Sequence, residues 1–237
     1  MKKIYITGSS SGIGKALAER ALEAGHLVVG MARRKTIEHP NYKHVSIDLS
    51  DLDQYVSITF EGHQKVDGLV LVNNAGTLGD VKPVARLEPE KVAQAYSLNI
   101  TAPTVLTSLF LEHTENSGLP RSVLSISSGA GSYPIQSWST YCASKAALDM
   151  FSRVLKLDHP EVHCFSIAPG IVDTEMQGEI RRAPARDFPE LQRFVDYKKN
   201  GELSDPAEVA EKLYSVIKSP ENFSEICFSL RDLEIQD

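Results

Sequence analysis

Tyr141 and Lys145 stand four residues apart in Tyr141-Cys142-Ala143-Ser144-Lys145. On a helix, positions i and i+4 share a face, so the phenol and the ammonium project side by side. A free tyrosine has a pKa of about 10 and is a sluggish proton carrier near neutrality. A neighbouring ammonium favours the phenolate and is expected to lower that value, which makes the pair a candidate acid/base. The spacing alone carries little weight. Tyr214 and Lys218 repeat it in Tyr214-Ser215-Val216-Ile217-Lys218, a stretch that reads as an amphipathic surface helix.

Company singles out Tyr141. Ser128 lies just past an apolar run that ends in Ile126-Ser127. Asn73-Asn74-Ala75-Gly76 closes a second run, Asn99 closes a helical stretch, and Ala168-Pro169-Gly170-Ile171-Val172-Asp173-Thr174 follows a third run. Near the N-terminus, Thr7-Gly8-Ser9-Ser10-Ser11-Gly12-Ile13-Gly14-Lys15 sets glycines in a GxxxGxG spacing, not the commoner GxGxxG. Such glycines let the backbone turn tightly and approach a ligand with no Cβ between. The helix that follows aims its free N–H groups and positive dipole end at the loop, which favours pyrophosphate. A Gly/Ser turn can also do no more than start a helix. Its place between a first strand and a first helix is what points to a dinucleotide.

Val28-Val29-Gly30-Met31-Ala32-Arg33-Arg34 ends without the acid that would bond ribose hydroxyls. A guanidinium accommodates a 2′-phosphate that a carboxylate would repel. Arg33 and Arg34 therefore favour NADP(H), the alternative being a solvated loop pair.

These residues need a scaffold. Short apolar runs predict strands at Lys3–Thr7, Leu27–Ala32, His44–Ile47, Gly68–Asn73, Ser122–Ser127, Val162–Ala168 and Glu225–Leu230. Longer patterns predict helices at Gly12–Ala24, Leu52–His63, Glu90–Asn99, Thr104–His113, Ser139–Leu157 and Pro206–Lys218. The alternation calls for an α/β fold: one doubly wound parallel sheet covered by helices on both faces, three αβα layers in a single domain over residues 1–237. Only Arg33–Lys43 separates the second and third strands, so their crossover helix is very short or absent. The candidate residues then fall at or beside the carboxyl ends of strands, where open parallel sheets bind ligands. Residues 173–205, with Gly178, Pro184, Pro189 and Gly201, read as an irregular excursion beyond the sixth strand. It is either a lid over the substrate or a surface insertion.

Bulk properties narrow the classes. The 237 residues suffice for one large core, and 42% hydrophobic with 24% charged residues is ordinary for a globular protein. A net charge of −6 argues against general binding to nucleic acid. Cys142, Cys164 and Cys227 are scattered, without CxxC spacing, which fits a reducing compartment and neither a disulfide framework nor a zinc site. No signal peptide or membrane span is read, so a cytoplasmic protein is expected.

In this order, over essentially the whole chain, the motifs resemble the short-chain dehydrogenase/reductase family, which is Rossmann-like. The resemblance implies roles. Gly8, Gly12 and Gly14, with Ser10 and Ile13 among them, match the phosphate loop. Asp48 matches the residue that bonds the adenine amino group. Asn73, Asn74, Ala75 and Gly76 match the motif that supports the sheet and passes near the adenosine ribose. Ser128 matches the serine holding the substrate oxygen, Tyr141 the acid/base and Lys145 its partner, which also reaches the ribose. Asn99 matches the residue holding a proton-relay water. Pro169 and Gly170 would shape the nicotinamide pocket, with Val172 beside them, and Thr174 would bond the carboxamide. The implied chemistry is hydride transfer to a carbonyl carbon while Tyr141 protonates the oxygen.

Gln136–Ala147, Leu157–Val162 and Ala168–Gln177 resemble sepiapterin reductases and their microbial relatives, the benzil reductases. That resemblance implies a carbonyl reductase for ketones or vicinal diketones. Trp138 would lie beside Tyr141, either stacking on a flat substrate or merely packing the helix start. Asp232 is a loose counterpart of the aspartate that anchors pterin in sepiapterin reductases, so a broader diketone reductase is the safer expectation.

Two other readings stand beside it: a dehydrogenase running oxidatively with NAD, and a non-catalytic dinucleotide-sensing regulator. The arginines speak against the first, and the presence of Ser128, Asn99, Tyr141 and Lys145 together against the second. The resemblance also implies a homodimer or homotetramer through the long helices, and Ala146, Ala147, Met150, Phe151 and Val154 form an apolar run that agrees. No metal is expected: His159 and His163 have helical spacing, but Pro160 stands between them and no third ligand follows. Arg181, Arg182 and Arg186 read as a solvated face, and Cys142 points away from Tyr141's helical face.

Overall fold

Burial alternates along the central strands. Ile4 and Ile6 enter one apolar layer, and Tyr5 between them enters the other. The computed structural model describes residues 1–233; residues 234–237 of the expected domain lie outside the described ones. In chain order the elements are β1 (Lys3–Thr7), α1 (Gly12–Glu23), β2 (Leu27–Ala32), β3 (Tyr42–Ser46), α2 (Leu52–Tyr55), β4 (Leu69–Asn73), α3 (Pro89–Tyr96), α4 (Ala102–Thr114), β5 (Arg121–Ile126), α5 (Ser139–Asp158) and β6 (His163–Ala168). Then follow α6 (Glu175–Arg181), α7 (Leu191–Lys199), α8 (Pro206–Lys218) and β7 (Cys227–Ser229).

The seven strands are all parallel, in the order β3-β2-β1-β4-β5-β6-β7. The order reverses between β1 and β4, which opens a crevice beyond their carboxyl ends. One face is covered by α1 and α8, whose Leu17, Ala21, Leu213 and Ile217 meet Ile4, Val70, Leu124 and Ile167. The other is covered by α4 and α5, with Leu106, Phe110 and Leu155 against Tyr5, Leu71 and Val123. This is the expected doubly wound, Rossmann-like arrangement. Among the described residues, no helix is long and apolar enough to cross a membrane.

Three expectations need correction. The helix expected over Leu52–His63 stops at Tyr55. Ser57, Ile58 and Thr59 are poor helix formers. The chain there is instead anchored by fully buried Phe60, which meets Tyr5 and Phe110 edge to face. Asn99 does not close a helix: Ser97–Thr101 form a π-helical turn that joins α3 to α4. Pro103 lacks the N–H a regular ladder would use, and the Ala102 N–H bonds back to Ser97 O across the widened turn. The 173–205 segment is not irregular, since it contains α6 and α7. Its base is clasped: Asp173 N–H donates to Ser204 O at 3.0 Å and Ser204 N–H to Ile171 O at 2.9 Å. No helix connects β2 to β3, as the short spacing predicts.

Candidate active site

A cleft of about 810 Å³ runs along the carboxyl ends of the strands. At the switch point the glycine loop is coiled onto the β4 loop. Thr7 Oγ1 accepts from Asn74 N–H at 2.8 Å and Ala75 N–H at 3.0 Å, while Asn74 Nδ2 donates to Thr7 O at 2.9 Å. A Cβ on Gly14 would stand 2.3 Å from Asn74 Nδ2 and 2.4 Å from Gly8 O, so only glycine lets this loop close. Gly12, at φ +53°, faces the Thr174 methyl across the crevice, with 3.2 Å to the position of a Cβ. Ser11 caps α1 without a side-chain hydrogen bond, which leaves the first N–H groups of the helix to the cleft. This cradle, lined also by Ser10 and Ile13, fits a pyrophosphate.

Farther along, Asp48 lines the cleft with its carboxylate accepting from Ser50 N–H at 2.9 Å and Ser50 Oγ at 2.7 Å. Those bonds hold its pKa below the usual carboxylate range. Arg33 and Arg34 are exposed at the rim, and among the described residues neither forms an ion pair. Ala75 and Gly76 line the middle of the cleft; Pro169, Gly170, Val172 and Thr174 line its opposite wall.

Ser128, Tyr141 and Lys145 meet at the inner end. β5 delivers Ser128, whose hydroxyl caps its own turn by accepting from Ala130 N–H at 3.2 Å. The first turns of α5 deliver Tyr141 and Lys145, both buried. Lys145 Nζ donates to Ile126 O at 2.7 Å and lies 5.5 Å from the centroid of the Tyr141 ring. The expected lowering of the tyrosine pKa is not what this geometry produces. Burial pushes Tyr141 up to about 12, with the Ser128 hydroxyl pulling the other way, and burial drives Lys145 down to about 8. Desolvation wins because both groups are enclosed and one lysine proton is already committed to Ile126.

Asn99 is held in the π-helical turn with both amide hydrogens and one oxygen lone pair engaged. Its Oδ1 accepts from Thr77 N–H at 2.9 Å, and its Nδ2 donates to Thr77 O at 2.8 Å and Ser144 Oγ at 3.1 Å. The side chain therefore ties the Gly76–Thr77 loop to α5, behind Tyr141.

Trp138 lines the cleft next to Tyr141 and lies in an apolar layer with Leu78, Ile180, Phe188 and Phe194. Its ring meets Tyr141 edge to face and stacks on Phe188 at 5.6 Å. Met176, Ile180 and Phe194 bring α6 and α7 to the cleft wall. Asp187 of the same segment is buried and pairs with Arg86 at 2.6 Å.

Not every candidate is brought here. Asp232 lies outside the cleft lining; its neighbour Arg231 lines it instead, against the Cβ position of Gly170 at 3.0 Å. Arg181, Arg182, Arg186 and Cys142 do not line the cleft. Tyr214 is far away between α8 and α1, bonded to His26 Nε2 at 3.0 Å under the Arg20 guanidinium. Sequence reasoning missed Leu78, Met176, Phe194, Arg231 and Asp149 on the lining. Only the i+4 step from Lys145 to Asp149 left a trace in the sequence.

Known proteins resemble this chain over most of its length. Residues 2–185 match the family model described as short chain dehydrogenase. A benzil reductase ((S)-benzoin forming) of Bacillus subtilis (strain 168) is 36% identical over 234 residues, 94% of this chain and 96% of the relative. Its counterpart in Bacillus cereus is 34% identical over 238 residues, 93% and 96% of the two chains. Sepiapterin reductase of Rattus norvegicus is 35% identical over 237 residues, 90% of each. A solved short chain dehydrogenase/reductase from Saccharomyces cerevisiae superposes with a TM-score of 0.85 at 28% identity, covering 98% of this chain and 97% of that one. The fold agrees with these matches: the chain belongs to the short chain dehydrogenase family and is an oxidoreductase of the carbonyl reductase kind.

Proposed function

We propose that the protein reduces ketones and vicinal diketones with NADPH, with Tyr141 as proton donor. The observation that carries this is the convergence of Ser128 and Tyr141 beside an apolar, aromatic wall at the inner end of a dinucleotide-shaped cleft. A bound nicotinamide supplies the hydride. Gly8, Gly12, Gly14 and the first turn of α1 hold the pyrophosphate, with Ser10 and Ile13 beside them. Asp48, Asn74, Ala75 and Gly76 line the adenosine side. Pro169, Gly170, Val172 and Thr174 shape the nicotinamide side.

Ser128 Oγ and Tyr141 Oη donate to the carbonyl oxygen, where negative charge develops. Tyr141 gives up its proton, and the Lys145 ammonium stabilises the phenolate that forms. Tyr141 stays protonated through the neutral range, so the donor form is always available. Asn99 has no amide hydrogen to spare, so it would hold a relay water by its backbone carbonyl or its remaining Oδ1 lone pair.

Preference for NADPH rests on Arg33 and Arg34 at the rim, where Ala32 ends β2 without an acid. The relatives named above as benzil and sepiapterin reductases support a dicarbonyl substrate, and Trp138 with Phe194 suits a flat one. Residues 173–205 act as a lid over this end of the domain, hinged at its clasp. The exposed Met150, Val154 and Leu157 on α5 support a homodimer or homotetramer through the long helices, and three free thiols support a cytoplasmic location. The deciding experiment is a turnover panel of benzil, diacetyl, sepiapterin and monoketones with NADPH and with NADH. Turnover of dicarbonyls with NADPH is expected, and a clear preference for NADH or an inactive panel overturns the reading.

A further inference from the structure

Beneath the acid/base pair lies a charged side chain that its chemistry does not use. Asp149 follows Lys145 by one turn of α5 and is 9% exposed. Its Oδ1 accepts the Ser166 hydroxyl of β6 at 2.6 Å. Its Oδ2 fills the space of a Cβ on Gly131, 2.7 Å away, so the turn that begins at Ser128 closes directly on the carboxylate. Its backbone carbonyl accepts Cys227 Sγ of β7 at 3.7 Å. Four segments of the site thus converge on one buried acid.

A buried carboxylate needs a compensating charge. On its own helix the charged neighbours are Lys145, one turn before it and buried, and Arg153, one turn after it and exposed. From β7 it faces Cys227, which Arg153 also touches. Among the described residues, the buried polar side chains of β5, β6 and the π-helical turn are the neutral Ser122, Ser125, Ser166 and Asn99, with Ser127 just past β5, and of these only Ser166 bonds to the carboxylate. Water screens Arg153, so Lys145 is the enclosed cation that Asp149 acts on.

We propose that Asp149 is a positioning residue for the reaction: its fixed negative charge holds Lys145 in the ammonium form beside Tyr141. Burial drives Lys145 towards the neutral amine, and Asp149 opposes that drive. Without it, Lys145 loses its proton nearer neutrality, and no cation favours the phenolate that Tyr141 becomes. This rests on Lys145 acting as Tyr141's partner.

The test follows the Lys145 side chain by NMR in cofactor-free protein labelled with 13C-lysine, assigned with Lys145→Met, alongside the pH profile of kcat. Asp149→Asn is expected to lower the Lys145 midpoint by about one pH unit or more, and to move the alkaline limb of kcat the same way. Asp149→Ser, which relieves the crowding at Gly131, is a second charge-removing variant and is expected to do likewise. Ser166→Ala cuts the same α5–β6 bond but keeps the charge, and is expected to leave the midpoint nearly in place. Equal shifts in the Asp149 and Ser166 variants, or none in either, make Asp149 merely structural and overturn the proposal. Unchanged turnover in Lys145→Met instead overturns the reading of the site. The two failures are distinguishable, because the NMR midpoint needs neither cofactor nor substrate.

Discussion

The Trp138 and Tyr141 rings meet at 5.6 Å and 89°, and the same indole stacks on Phe188, so the proposed acid/base residue and the 173–205 segment share one aromatic contact. Phe194 of α7 completes the cluster at 5.2 Å from Trp138. The segment is held to the body by this cluster, by its basal clasp and by the Arg86–Asp187 pair.

Trp138→Ala is therefore expected to loosen residues 173–205 while sparing the cofactor cradle. Removing a buried tryptophan destabilises by about 3–5 kcal/mol where the site cannot collapse. Expected outcomes are a lower Tm, faster tryptic cleavage at Arg182 or Arg186, and a KM for benzil raised about tenfold or more with NADPH affinity unchanged. Trp138→Phe keeps a ring and should recover most of each effect.

Tyr141→Phe is expected to lower kcat for reduction by about 10²–10⁴-fold with NADPH affinity retained, since it removes only the transferable proton. In the native enzyme the donor limits nothing near neutrality, because burial pushes Tyr141 up to about 12. The charge on Lys145, whose pKa is pushed down to about 8, is lost above that point. Log kcat for reduction should be level below that value and fall above it; a fall on the acid side instead would contradict the assignment.

Lys145 carries a stability cost that can be measured. Its folded pKa of about 8 lies below the ordinary lysine value of 10.5, so the unfolded chain binds the extra proton between those values. Where the unfolded state binds more protons, stability rises with pH. The Lys145 contribution is thus unfavourable at pH 7 and is relieved as pH climbs from about 8 to 10.5. The double variant Lys145→Met/Asp149→Asn, which leaves no buried carboxylate without its cation, should abolish turnover yet raise the unfolding free energy at pH 7 by about 1–3 kcal/mol. The advantage over the native chain should shrink towards pH 10.5, as pH-dependent melts would record.

Arg33→Ala and Arg34→Ala test the cofactor. Losing a charge-assisted bond to a 2′-phosphate weakens binding by about 1.5–3 kcal/mol, or about 10–100-fold. At least one variant should raise KM for NADPH by that factor and leave KM for NADH unchanged. Equal effects on both cofactors would assign the arginines to the loop instead.

The sequence by itself determined the sheet and the glycine loop, and it nominated Tyr141 as the proton carrier. Short apolar runs such as Ile4-Tyr5-Ile6 and the glycines at 8, 12 and 14 are local signals, set by backbone sterics and by burial on two faces. The strand ends then brought Ser128, Tyr141 and Lys145 together, and Tyr214-to-Lys218 was separable from Tyr141-to-Lys145 by context. Tertiary structure decided what depends on enclosure and on partners distant along the chain. The sign of the Tyr141 shift turned on desolvation, and no spacing rule reports that. Asn99 read as the close of a helix, yet the turn widened and the chain ran on into α4, with the Asn99 side chain fixed by Thr77 and Ser144. Helices α6 and α7 were hidden by Gly178, Pro184 and Pro189, and exist because Phe188 and Phe194 find Trp138. Asp149 next to Lys145 was one more charge on a helix until β6 and the Ser128 turn buried it: burial converts an ordinary carboxylate into one that must have a partner.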